Sequence, residues 1–510
     1  MTLLDRKREG LGDAMLAGAL GVLVFVRSAG FSFVYDDRWT IVQNRFLAEP
    51  LRVLLSSVFA GTAGAAGMPD ATRPSMVVSS WLDIRLFGFW PFGHHLHSLL
   101  LYGLVVFTAA LAARSLLSGD RFGATLAGVF FAVAPLHAEV VSAVNYREDL
   151  IAAFGVLVPL FFSFREDRDR DGLLPGVLVA LAFLWGLFGK ESAAVLALLI
   201  PAVLLLRGDR RALLASRERT LFLLGAVLLF WLNFRLGAAS RGEPVPLAAP
   251  APFATRLADT ARYEVRALLA ALAPIHPRTE YPVESHASAG YVAAFALIVL
   301  GVVALARVRA LRGVAIGVTI ALVAPLASSP LVGPVNPRAD RYLFLAVFGG
   351  AIVFGAVGSL LVRRFAAPLV LAAAAVVLVP LAVFGDRACA PWHDERTLWE
   401  RAVVATPESP RALSALARVE RLAGNLDRAM ALVDRALSID PRHVQSHLTR
   451  TYVLLARGDV VGARAELGEL DRLGGPPHPG LARARFCASR PADEARLCAT
   501  FRDNPGPGGS

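Results

Sequence analysis

With 510 residues, 55% of them hydrophobic, and a mean hydropathy of +0.55, the chain is too apolar for an ordinary soluble protein and reads as a polytopic membrane protein. Its net charge of +11 would elsewhere point to nucleic acid. Here the arginines fall in alternate loops between apolar runs, so the charge sets topology and nucleic acid is excluded as a partner.

About eleven spans are predicted, beginning near residues 12, 94, 122, 149, 172, 192, 219, 288, 312, 342 and 366, and an amphipathic segment at about 262–275 is expected to lie in the interface. Arg6, Lys7 and Arg8 precede the first span, which is expected to be retained rather than cleaved as a signal peptide. Arg114 and Arg121, then Arg165, Arg168 and Arg170, then Arg207, Arg210, Arg211, Arg217 and Arg219 mark further loops on the same side. Arg307, Arg309 and Arg312, and finally Arg363 and Arg364, continue the pattern. Positive-inside asymmetry therefore predicts a cytoplasmic N-terminus and, after an odd number of spans, a C-terminal region on the outer face.

The first outer loop, about 28–93, is the largest and opens on "FVYDDRWTIVQN", where Asp36 and Asp37 follow an apolar run. Its glycine- and alanine-rich "AGTAGAAGMPDATRP" ends near Arg73. The next outer loop, "PLHAEVVSAVNYRED", carries His137, Glu139, Arg147 and Asp149. Lys190, one of only two lysines in the chain, sits beside Glu191 in the tight turn "FGKESA". A later loop ends on Arg338, Asp340, Arg341 and Tyr342.

Ionisable groups in or beside hydrocarbon are costly, so these four clusters are functional candidates, and the predicted topology puts them on one face. Adjacent carboxylates repel, which favours a base active near neutral pH; arginines and a lysine suit a phosphate. Together they fit group transfer from a lipid phosphate to a hydroxyl acceptor. Each has a plainer reading: solvated span ends for Asp36 and Asp37, a paired or snorkelling turn for Lys190 and Glu191, an interfacial anchor for Arg341 and Tyr342. His94, His95 and His97 read as membrane-boundary residues, and no metal site is predicted.

From about residue 386 the pattern becomes mixed polar and apolar. Pro407 and Pro441, Ala402 and Ala436, Gly424 and Gly458, and Ala429 and Ala463 are each separated by 34 residues, the tetratricopeptide period. The fold class expected is therefore all-α: a transmembrane domain over 1–385, a tetratricopeptide helical solenoid over 386–480, and a C-terminal tail over 481–510 whose "DNPGPGGS" end reads as disordered. The solenoid would serve as a partner or substrate platform, or as a stabilising cap. Cys487 and Cys498 could pair or remain free thiols.

The stretches "FVYDDRWTIVQN", "RPSMVVSSWLDIRLFGFWPFGHHLHSLLLY", "PLHAEVVSAVNYREDLIAA", "GKES", "ADRYLF" and "WHDERTLW", in this order, resemble the transmembrane and tetratricopeptide-repeat O-mannosyltransferases and their bacterial relatives, of the C-type glycosyltransferase superfamily. The resemblance implies a membrane glycosyltransferase that takes a sugar, mannose by analogy, from a polyprenyl phosphate and passes it with inversion to a protein or glycan hydroxyl. Asp36 or Asp37 would be catalytic. By the resemblance, His137, Glu139, Arg147, Asp149, Lys190, Asp340 and Arg341 would line the donor site, and the charged clusters add Arg73, Glu191 and Tyr342 to the residues expected to bind the donor phosphate and substrate. No cofactor is expected, although a divalent metal is left open. Arginine in place of lysine points to a bacterial inner membrane, with the repeats periplasmic. Ala134 stands where relatives often have a second histidine, Asp340 where glutamate is common, and the repeat array is short. An O-antigen ligase or polymerase, or a non-catalytic assembly factor acting through its repeats, remains the alternative.

Overall fold

The computed structural model describes residues 3–164, 173–208, 227–228, 252–282, 287–332, 338–474 and 479–500. All regular secondary structure among them is helical. Two compact units are formed, one by 1–277 with 285–390, the other by 278–284 with 391–510.

The first unit contains α1 (Leu3–Val24), α2 (Leu51–Phe59), α3 (Thr62–Ala65), α4 (Pro74–Phe87), α5 (Pro91–Leu116), α6 (Arg121–Val133), α7 (Ala138–Ser142), α8 (Arg147–Phe164), α9 (Leu173–Gly189) and α10 (Leu196–Arg207). It continues with α11 (Phe253–Leu272), α12 (Ala289–Arg307), α13 (Arg312–Val323), α14 (Phe344–Leu361) and α15 (Ala367–Cys389).

Among the described residues, five helical segments are long and apolar enough to cross a membrane: Pro91–Leu116, Ala289–Arg307, Arg309–Ser328, Asp340–Leu361 and Ala367–Trp392. A sixth is α6 with the turns that follow it, bent by 49°. The bend falls at Pro135, which has no N–H and holds Ala134 extended (φ −68°, ψ 120°). The segments expected near 12 and 172 are shorter apolar helices. That near 149 begins on the charged triplet Arg147, Glu148 and Asp149, and that near 192 forms the twelve-residue α10. The segment expected near 219, with the arginines at 165–170 and 210–219, lies outside the described residues save for 227–228.

Close helix contacts rest on small residues, as in other helical membrane proteins. A Cβ at Gly155 of α8 would stand 2.6 Å from Gly186 Cα of α9, so any larger side chain would part these helices. Gly350 of α14 similarly lets the backbone of Ala271 in α11 approach. The amphipathic segment predicted over about 262–275 is a longer helix, α11, whose Thr260, Ala261, Tyr263, Glu264, Ala267, Leu268 and Ala271 face is buried.

The second unit comprises α16 (Glu395–Ala405), α17 (Pro410–Leu422), α18 (Leu426–Ile439), α19 (Val444–Arg457), α20 (Val460–Leu473), α21 (Pro479–Ala488) and α22 (Ala492–Thr500). Gly424 and Gly458 adopt φ of 88° and 83°, ending the first helix of successive pairs. The spaced alanines Ala402, Ala436, Ala429 and Ala463 are all buried. Residues 481–500, assigned to the tail from sequence, fall largely within α21 and α22, and Cys487 and Cys498 are joined by a disulfide with Cα atoms 5.6 Å apart. The "DNPGPGGS" end lies outside the described residues. The segment 278–284 belongs to this unit through Glu280, which binds Ser409 and Arg411.

Candidate functional site

The loop after α1 enters the site through Tyr35, whose φ of 51° is uncommon for a residue with a side chain and costs about 1 kcal/mol or more. This kink separates the environments of the two aspartates. Asp37 is fully buried and accepts hydrogen bonds from the backbone N–H of Val34 (3.1 Å) and Asn145 (2.6 Å). Burial pushes its carboxyl up to about 7, against the pull of those N–H groups. Asp36 is half-buried and accepts from the Tyr146 hydroxyl at 3.5 Å.

Arg73 is fixed just ahead of α4, where Pro74 at the first helical position sets the start. Its guanidinium meets Glu148, Glu191 (3.1 Å) and Asp70 (3.3 Å). Burial pushes Asp70 up to about 6, with Arg73 opposing. Glu148 and Asp149 occupy the first turn of α8, where the helix dipole favours acids. Lys190, between α9 and α10, reaches both: Nζ lies 2.9 Å from Glu148 and 2.7 Å from Asp149. Burial would lower the pKa of Lys190, yet the two carboxylates raise it, so the ammonium persists.

On the opposite side, the bend at Pro135 delivers Glu139 in the first turn of α7. Glu139 accepts from Arg341 Nη1 at 2.5 Å and from the Arg341 backbone N–H at 2.9 Å. The Arg341 guanidinium lies 4.3 Å from the ring centre of Tyr146 and 4.8 Å from that of Tyr342, and Lys190 lies 5.4 Å from the Tyr342 ring. Asp149, Ser192, Ser328, Arg341, Tyr342 and Phe344 line a pocket at this junction.

These contacts join Asp36, Arg73, Glu139, Asp149, Lys190, Glu191, Arg341 and Tyr342. Asp340 is buried on the same turn as Arg341. Two other candidates sit elsewhere. His137 is buried against Phe131 and Phe344, with Nδ1 2.9 Å from the Tyr102 hydroxyl. Arg147 is wholly enclosed: it meets Asp83 at 2.5 Å and donates to Ser79, Ser98 and the His94 carbonyl, which ties α8 to α4 and α5. His97 also bonds Asp83, at 2.6 Å.

Sequence reasoning passed over Asp70, Asp83, Tyr146 and Glu148. Tyr146 and Glu148 stand inside the quoted "NYRED" and share its charged character. Asp83 had a weaker signal, an acid within the apolar "SSWLDIRLF" of α4.

Chemically, the site offers three cations held by carboxylates and one half-buried acid beside a tyrosine. An incoming phosphate can replace carboxylate partners around Arg73, Lys190 and Arg341 without leaving a cation bare. Fold and site define an integral membrane protein with an ion-paired cavity between its helices.

No family profile matches the chain. Protein O-mannosyl-transferase Tmtc1 of Drosophila melanogaster is 34% identical over 194 residues, 36% of this chain and 22% of that protein. Protein O-mannosyl-transferase TMTC1 of Homo sapiens is 31% identical over 196 residues, 36% of this chain and 22% of its own length. TMTC2 of Homo sapiens is 26% identical over 238 residues, 44% of this chain and 28% of that protein. The similarity thus spans less than a third of the length of each of these relatives. Among solved structures, that of ArnT from Cupriavidus metallidurans bound to undecaprenyl phosphate aligns with 95% of this chain and 75% of its own, at 13% identity and a TM-score of 0.40.

Proposed function

We propose that the chain is a C-type membrane glycosyltransferase that transfers a sugar, mannose, from a polyprenyl phosphate to a hydroxyl of a protein or glycan acceptor. The similarity to protein O-mannosyl-transferases supports the reaction class. The observation that carries the reading is the meeting of Arg73, Lys190 and Arg341 near a half-buried Asp36.

Asp36 removes the proton of the acceptor hydroxyl as its oxygen attacks the anomeric carbon. The bond from that carbon to the phosphate oxygen breaks, and its electron pair leaves with the lipid phosphate. Lys190, Arg341 and Arg73 stabilise the charge that develops there. Direct displacement inverts the anomeric centre. Asp37 acts at one remove, tying the loop to the backbone of Asn145, next to the Tyr146 whose hydroxyl donates to Asp36. Glu139, Asp149 and Glu191 hold the cations in place, Asp340 is buried on the turn that carries Arg341, and Tyr342 supplies a ring face.

The same reading takes the eleven-span topology as the membrane arrangement, with the N-terminus cytoplasmic and the second unit periplasmic at a bacterial inner membrane. The helix pairs of that unit are a tetratricopeptide solenoid that recruits the acceptor or a protein partner, a view supported by the 34-residue spacing of the Gly424 and Gly458 turns.

The test is the product's configuration. Purified protein given β-linked polyprenyl-phosphate-mannose and an acceptor is expected to yield the α-linked mannoside, read by NMR. A β-linked product, or transfer only from a nucleotide sugar, contradicts the proposal.

A further inference from the structure

Helix α11 carries a group of polar atoms that the reaction above does not use. Thr260, Tyr263 and Glu264 are spaced i, i+3 and i+4, which puts them on one helix face. They are 5%, 7% and 0% exposed. Thr260 Oγ1, the Tyr263 hydroxyl and both carboxyl oxygens of Glu264 are enclosed and have no hydrogen-bond partner among the described residues. Buried polar atoms are nearly always satisfied, so several unsatisfied ones on a single face mark a place where another molecule supplies the partners.

The position of this face is fixed. The backbone approach at Gly350 and Ala271 clamps the C-terminal half of α11 to α14. α11 also packs against the turns Ala324–Ser328 and Asp340–Leu343, which carry the pocket residues Ser328, Arg341 and Tyr342. Tyr263 is within electrostatic range of Tyr342 and Arg338. Ser329, which follows the first of these turns, has a fully buried Oγ that also lacks a partner among the described residues.

We propose that Thr260, Tyr263 and Glu264 form the subsite for the sugar hydroxyls of the donor, next to the cations that hold its phosphate. The inference rests on the glycosyltransferase reading. A hydroxyl-bearing ring needs neighbours that both donate and accept, and two hydroxyls with a carboxyl provide them. Burial pushes the Glu264 carboxyl up to about 8, so near pH 7 it keeps its proton and can donate as well as accept. A phosphate would find no cation within this trio, whereas the neighbouring Arg341 and Lys190 supply them. The chemistry therefore divides the donor, with the sugar on α11 and the phosphate at the cation cluster.

The test uses the full-length protein in detergent or nanodiscs, with polyprenyl-phosphate-mannose as donor and sugar-free polyprenyl phosphate as competitive inhibitor. Tyr263→Phe and Glu264→Ala are expected to lower kcat/KM for the donor about tenfold or more, while the inhibition constant of polyprenyl phosphate stays within about twofold. That inhibition constant also shows that a variant is folded. Glu264→Gln, which still donates and accepts, is expected to retain most of the activity. Wild-type transfer with both variants unchanged overturns the subsite alone. A rise in acceptor KM without a donor effect overturns it in favour of an acceptor-side role. Equal loss of polyprenyl phosphate binding and donor turnover overturns it in favour of a packing role. If the wild type transfers no sugar from any lipid phosphate, the glycosyltransferase reading falls and the subsite with it.

Discussion

The Tyr146 hydroxyl lies 3.5 Å from the Asp36 carboxylate, and the ring of the same tyrosine lies beneath the Arg341 guanidinium. One side chain thus connects the proposed base to the proposed phosphate clamp. Tyr146→Phe removes the first contact and keeps the second. The expected result is a fall in kcat of about tenfold with donor KM nearly unchanged, measured by steady-state transfer. A rise in KM with unchanged kcat would assign Tyr146 to donor binding alone.

Asp37 is predicted to matter for stability. Asp37→Ala leaves the N–H groups of Val34 and Asn145 without their acceptor, at a cost of about 1–3 kcal/mol each, read as a lower Tm in detergent. Its titration adds a pH signature. The folded pKa, about 7, lies above the unfolded value of 3.8, so between those values the unfolded state binds fewer protons. The contribution is full below pH 3.8 and is lost as the pH rises through about 7. The Tm difference between wild type and Asp37→Asn is therefore expected to shift against the wild type from pH 5 to pH 8, and a constant difference would contradict the assignment.

Arg341→Lys retains a charge for Glu139 but loses the planar guanidinium between the rings of Tyr146 and Tyr342. Donor KM is expected to rise about tenfold, with the Tm lowered by only a few degrees. The measurement is donor titration alongside thermal unfolding of the same preparation.

Arg147 is expected to act through stability instead. Arg147→Met strands Asp83 in a fully buried site and should destabilise by about 3–5 kcal/mol. Pairing it with Asp83→Asn should recover part of that loss, because the uncompensated charge is gone. A double-mutant cycle by thermal unfolding reads the coupling, and additive losses would deny it.

The charged clusters were legible in the sequence because ionisable groups beside apolar runs are expensive and stand out. Asp36, Arg73, Lys190 and Arg341 were all visible in this way. Which of them share a contact was not, since Lys190 could reach Glu148 only once α8 and α9 packed through Gly155 and Gly186. Arg147 and His137 look the same in sequence as their neighbours, yet one is tied to Asp83 and the other enclosed by Phe131 and Phe344. Glu264 left no signal, because an acid on an amphipathic helix reads as a solvated face until its neighbours are known. The run of apolar residues did not show that the chain bends at Pro135 or opens α8 on the charged Arg147 to Asp149. Composition does not register such breaks.

Asp36 is proposed as the base of a transfer from a lipid phosphate. Its most direct test is the transfer of radiolabelled mannose from polyprenyl-phosphate-mannose by wild type and Asp36→Asn at matched amounts of folded protein. Label transfer by the wild type and a loss of about 10²- to 10⁴-fold in the variant, with its Tm unchanged, is the expected result. Equal transfer by both proteins would contradict it.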